Sequence, residues 1–152
     1  MTPEAQLKLL GLTLPPAPKA GGIYSPVRIT GNQLYVSGQP PCREDGSLIT
    51  GKVGLDLNLE EANKAATQTG LTMLATIKKE IGELAKIKRL IKSLGMVNCT
   101  PDFIDHPLVI NGYSQLMIDV FGSENGRGAR SAVGMILPGN IAVEIEAIFE
   151  LH

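Results

Sequence analysis

Between Leu59 and Ile81 apolar residues return every three or four positions, so that Ala62, Ala66, Met73, Leu74, Ile77 and Ile81 share one face. That spacing predicts an amphipathic helix over Leu59–Ile81, with Asn58 as its cap and Glu61 closing a capping box. A second helical stripe, Val109, Tyr113, Leu116, Met117 and Val120, follows Asp105-His106-Pro107, where a proline suits the first turn of a helix. Elsewhere the period falls to two. Val27–Thr30 and Gln33–Ser37 read as short strands around Gly31-Asn32, which fits a two-residue hairpin turn needing positive φ. Ile87–Cys99 alternates well enough for a long strand. After a predicted loop, G-S-E-N-G-R-G, the segments Arg130–Leu137 and Ile141–Leu151 read as two closing strands joined through Pro138-Gly139.

Thr2-Pro3-Glu4 starts a short helix to about Leu10, and L-P-P-A-P-K-A-G-G then holds the chain extended. The whole, residues 1–152, reads as one domain in which 1–21 form an N-terminal helix and a Pro-rich extension. The order β-β-α-β-α-β-β predicts an α+β fold: one mixed sheet with two helices packed on one face. The strands carry apolar or small residues on both sides, as in Ala132, Gly134 and Ile136 opposite Val133, Met135 and Leu137. A sheet face left uncovered yet apolar predicts a partner, and the simplest partner is another copy of the chain.

Charges in the closing strands raise a chemical question. Ile141, Val143, Ile145, Ala147 and Phe149 alternate with Glu144, Glu146 and Glu150, so the odd positions face the helices and the glutamates face away. Bulkier apolar residues at odd positions of the preceding strand predict that Arg130 shares the face of Glu144. A plain two-residue loop at Pro138-Gly139 would instead set Arg130 opposite Ala147, so this reading requires a longer loop or a bulge. An inter-strand salt bridge would explain the charges; so would a site that grips an anion and moves a proton, with Glu146 as a structural partner.

Composition narrows the classes. A chain of 152 residues that is 43% hydrophobic can bury a sizeable core. The N-terminus has neither the basic stretch nor the apolar run of a signal peptide, and no apolar run approaches the length of a membrane span. Cys42 and Cys99 stand far apart and read as free thiols in a reducing cytoplasm. His106 and His152 are isolated, so no zinc spacing exists. A net charge of −1 argues against nucleic acid, and K-I-K-R-L-I-K reads as a solvated strand face.

The motif A-R-S-A-V, followed after a proline turn by V-E-I-E-A-I, closely resembles the C-terminal signature of the YjgF/RidA family of reactive enamine/imine deaminases. Members of that family are also described as endoribonuclease L-PSP or translation inhibitors. L-Y-V-S-G-Q-P-P, G-G-I-Y and V-I-N-G-Y resemble further family elements, in matching order from about Gly22 to Glu150, and the N-terminal extension is similar to a longer branch. The resemblance implies a chorismate mutase-like fold with a six-stranded mixed sheet, a homotrimer whose sheets form a central barrel, and sites in the clefts between subunits. It implies that Arg130 binds the carboxylate of a 2-imino acid, that Glu144 positions or activates water, and that Tyr24, Ser37 and Asn111 line the cleft. Ala132 stands where the family often has cysteine, at a contact made through the backbone carbonyl; Ile23 replaces a proline before Tyr24. The implied activity is hydrolytic deamination of reactive 2-imino acids released by pyridoxal phosphate enzymes, with no cofactor and no metal of its own. A module that holds small carboxylates without turnover is the alternative, and RNA cleavage a third. Structural readings stand beside these: Ser37 as a strand-end hydroxyl bonded to backbone, Asn111 as a first-turn polar residue, Tyr24 as packing at a subunit edge.

Overall fold

The computed structural model describes all residues 1–152. In chain order the elements are α1 (Pro3–Leu9), β1 (Val27–Thr30), β2 (Gln33–Gln39), α2 (Leu59–Ile81), β3 (Ile87–Asn98), α3 (His106–Phe121), α4 (Ser123–Gly126), β4 (Ala129–Met135) and β5 (Val143–Leu151). The sheet has five strands in the order β1-β2-β5-β3-β4, not the six that the family resemblance implies. All pairs are antiparallel except β3 with β4.

Local chemistry sets the element ends. Thr2 Oγ1 accepts from the Ala5 amide and Pro3 opens α1. Asn58 and Glu61 cap α2 reciprocally, at 3.1 and 2.8 Å. Gly31, at φ 57, supplies the left-handed residue of the β1–β2 turn. The segment expected as a loop before β4 contains one helical turn, α4, because Gly126 packs directly onto the Met117 carbonyl where a side chain would not fit.

Both long helices lie on one face of the sheet. Phe149, Ile145, Ala147, Leu34 and Val97 are buried beneath Ile77, Met73, Tyr113, Ile110 and Met117. Two glycines let the layers approach. A Cβ on Gly95 of β3 would lie 2.7 Å from Ile110, and one on Gly112 of α3 would lie 2.1 Å from the Asn63 carbonyl of α2. The opposite face carries Tyr35, Leu94, Met96, Val133, Met135 and Ile148; Leu137 and Ile141 pack over Met96, and Tyr35, Val133 and Met135 are left exposed.

The closing strands do not form a hairpin. β3 lies between them, and β4 runs parallel to β3 at the sheet edge. The turn itself forms, with the Asn140 amide bonded to Leu137 at 3.2 Å and Gly139 at φ 63. Asn140 then also adopts a left-handed conformation, φ 55, and turns the chain away. The backbone that follows bonds elsewhere, Ala142 to Ile49 at 3.0 Å and Gly51 to Asn140 at 2.8 Å, so the chain crosses the end of β3 before entering β5.

This topology corrects the face of Arg130. Arg130 pairs with Ser93, and Ser93 with Ala147. Ser93 is buried and bonded to the Tyr113 hydroxyl of α3 at 2.8 Å, so that row faces the helices. The expected glutamate face holds: Glu144 pairs with Met96 and points away from the helices, as does Glu146. Arg130 and Glu144 therefore lie on opposite faces. The error arose because the open face is itself apolar, so that bulky Val133 and Met135 mark it and not the core.

Substituting Gly112→Ala should destabilise the fold by about 1–3 kcal/mol, since the methyl must displace α2 backbone. A urea unfolding midpoint equal to that of the unmutated chain would refute the close helix contact.

Candidate functional site

Two polar depressions contain the chemistry, one on each side of the sheet. The first, about 440 Å³, lies between α3 and the start of β4. Its centre is Arg130. One terminal nitrogen donates to Asn111 Oδ1 at 2.9 Å and to Ser114 Oγ at 3.0 Å, and the other donates to the Pro107 carbonyl at 3.3 Å. All three acceptors are neutral and all come from α3. The ion pairs of the chain involve Lys64, Lys78, Lys88 and Arg89; Arg130 has no carboxylate partner. The inter-strand salt bridge offered as an explanation of Arg130 is therefore absent within the chain. A half-buried guanidinium is fixed in orientation while its charge is left uncompensated, which suits it to receive an anion.

Asn111 and Arg130, which the family resemblance assigns to one cleft, are in direct contact. Ser114 is the residue that sequence reasoning missed. It lies three positions beyond Asn111 on the same helical face, and that spacing was the available signal. Ala132 points the same way as Arg130, but its methyl packs against the core and does not line the depression. The outer edge of β4 pairs with nothing in the chain, so its outward backbone groups remain free to bond a ligand or another copy.

The second depression, about 340 Å³, is lined by Tyr24, Gly38, Gly139 and Glu144, and by Pro18 and Lys19 of the N-terminal extension. A one-residue bulge in β2, between Val36 and Gln39, shapes its floor. Gly38 sits in that bulge, where a Cβ would come 2.6 Å from Glu144 Oε2, so the missing side chain is what admits the carboxylate. Glu144 has no hydrogen-bonded partner. Partial burial raises its pKa above the ordinary glutamate value, and the neighbouring Glu146 charge raises it further. Tyr24 is half exposed, its hydroxyl accepting from the Gly21 amide at 3.0 Å.

Ser37 lines neither depression. Its hydroxyl donates to the Ser25 carbonyl at 2.7 Å and its amide bonds Pro26 at 2.9 Å, so it ties the Tyr24 loop to β2. It lines instead a third depression, about 440 Å³, on the open face of the sheet beside Arg28, Tyr35 and Glu146. No group of three or more His, Cys, Asp or Glu side chains is placed to hold a metal ion, and no helix is long and apolar enough to cross a membrane. Within one chain, the backbones at Arg130 and Glu144 are about 14 Å apart, counting two strand spacings and three residues along β5.

The family model described as "YjgF/chorismate mutase-like, putative endoribonuclease" matches residues 4–147. Protein TCP17 of Trypanosoma cruzi is 39% identical over 149 residues, covering 97% of this chain and 93% of that protein. A crystal structure of a protein of unknown function from Agrobacterium tumefaciens is 45% identical with a TM-score of 0.89, covering 99% of this chain and 94% of that one. A "putative endoribonuclease" from Shewanella oneidensis superposes with a TM-score of 0.94 at 34% identity, covering 99% of this chain and all of that one (100%).

The raised pKa of Glu144 makes its ionised form a cost to folding. The folded state binds the proton more tightly than the unfolded state, so stability falls as pH rises from the unfolded value through the folded one. Glu144→Gln should therefore raise the melting temperature at pH 7, and the gain should vanish below about pH 4, under the ordinary glutamate value. A variant less stable than the unmutated chain at pH 7 would contradict the unpartnered carboxylate.

Proposed function

The chain belongs to the YjgF/chorismate mutase-like family, and we propose that it is a hydrolytic deaminase of reactive 2-imino acids. The observation that carries this reading is Arg130, a guanidinium held by three neutral acceptors with no anion of its own. Bidentate bonds from Arg130 to the substrate carboxylate orient the adjacent imine carbon. Glu144 then takes a proton from water as the oxygen adds to that carbon and delivers it to the imine nitrogen; in the collapse it takes the proton of the new hydroxyl and passes it to the amine, which leaves as ammonia. One water is consumed, and a 2-oxo acid and ammonia are formed. A carboxylate whose pKa lies above the ordinary glutamate range serves both steps near neutral pH.

These two groups act on one substrate only if they come from different copies. In the proposed assembly, a homotrimer, the uncovered sheet faces meet, and the Arg130 depression of one copy abuts the Tyr24–Glu144 groove of the next. The exposed apolar residues Tyr35, Val133 and Met135 and the free edge of β4 support such contact. Tyr24 walls the cleft, with Ser37 holding its loop in place.

The test is release of 2-oxo acid from freshly generated 2-iminopropanoate. Arg130→Ala and Glu144→Gln should each lower turnover about 100-fold or more. Refolding the two inactive variants together should restore part of the activity, because mixed oligomers contain clefts with both groups intact. A mixture that stays inactive would overturn the shared cleft. An unmutated chain no faster than R130A across several imino acids would overturn the deaminase. Tight 2-oxo acid binding without turnover would then favour a carboxylate-binding module, and ribonuclease activity lost in R130A would favour the endoribonuclease description.

A further inference from the structure

The Arg130 depression contains a second arginine. Arg127 lines the same cavity, three residues earlier, at the entry to β4. Its side chain is exposed and takes no part in a hydrogen bond or ion pair within the chain. The rest of the lining is neutral: Ser93, Asn111, Ser114 and Gln115 are its polar members, and no aspartate or glutamate lines it. Asp119 of α3 lies outside the lining and accepts from Gln115 at 2.8 Å, and Glu124 of α4 also lies outside it and makes no ion pair with Arg127. Two formal positive charges thus share one cavity without a counter-charge.

Their spacing follows the groove. Arg130 is pinned beside Asn111 and Ser114, whereas Ile118, one turn further along α3, lines the cavity near the α4–β4 junction where Arg127 emerges. Ser114 and Ile118 are about 6 Å apart along the helix axis. Three steps of extended chain from Arg127 to Arg130 separate their backbones by about 10 Å. A four- or five-carbon dicarboxylate bridges such a gap once a hydrogen bond of about 2.9 Å is added at each end.

We propose that Arg127 is a second anion clamp, and that the preferred substrates are dicarboxylic 2-imino acids of four or five carbons. The inference rests on the reading of Arg130 as the clamp for the 2-carboxylate. Arg127 is a specificity residue in this scheme: it touches the distal carboxylate and takes no part in proton transfer. A monocarboxylic imino acid would leave its charge unmatched.

Calorimetric titration with 2-oxoglutarate and with pyruvate separates this from the deaminase reading, because binding needs no turnover. The unmutated chain should bind 2-oxoglutarate about tenfold or more tightly than pyruvate, and Arg127→Ala should remove that preference by about the same factor. Arg127→Lys, which keeps a point charge, should recover part of it. Arg130→Ala should weaken both ligands. The same ratio should appear in kcat/KM for 2-iminoglutarate against 2-iminopropanoate. Equal affinity for the two ligands in the unmutated chain, or a preference that survives R127A, would overturn the second clamp. A preference that R127A abolishes in a chain showing no turnover would sustain the clamp while removing the deaminase.

Discussion

β3 is bonded on both sides, to β5 in antiparallel register and to β4 in parallel register, and its alternation assigns every side chain of the last two strands to a face. Ser93 fixes the assignment. Its hydroxyl meets the Tyr113 hydroxyl beneath α3, in a position too buried to be exchanged for the open side. Arg130, its partner on β4, must then reach toward α3, where Asn111 and Ser114 hold it. Glu144, bonded across to Met96, must point the other way. A slip of one residue would reverse both outcomes and put glutamates under the helices.

The consequence is a molecule with two half-satisfied charges on opposite sides of one sheet. Elsewhere on the same strand a charge finds partners: Glu150 takes Lys88 and Arg89 at 3.2 and 2.9 Å, at the far end of β5. Arg130 takes only neutral oxygens, and Glu144 takes no partner at all. Leaving either charge uncompensated lowers stability, and the fold accepts that at two places where cavities open to solvent. Small residues make room for it. Gly38 admits the Glu144 carboxylate, and Gly95 lets α3 lie close enough to the sheet for its first turns to reach Arg130.

Much of the site was legible from the chain because it depends on short spacings. The period of two set Glu144 and Glu146 away from the core, and the three-residue spacing of Ser114 from Asn111 carried a signal that went unread. What was not legible is the long-range pairing. Pro138-Gly139 forms the local turn that its residues predict, yet the strands on either side do not pair, because Ile141 and Ala142 bond to the segment around Ile49–Gly51 instead. No local signal in the proline turn distinguishes a hairpin from a crossover. The face of β4 was misjudged for a related reason: apolar Val133 and Met135 mark a surface awaiting cover as readily as they mark a core.

By itself the sequence determined the two helices, the capping box of α2, the strand segments and the side of β5 that carries its glutamates, since each follows from propensity and periodicity over a few neighbouring residues. Its charge pattern also singled out Arg130 and Glu144 as chemistry-bearing positions, and the family resemblance added Asn111 and Tyr24. Only the tertiary structure decided that β3 separates β4 from β5, that Arg130 and Glu144 therefore cannot meet within one chain, and that Ser37 serves as a tether. Those outcomes rest on hydrogen bonds between segments far apart in sequence, whose register is chosen by burial of the whole sheet against α2 and α3 and by no short stretch of residues.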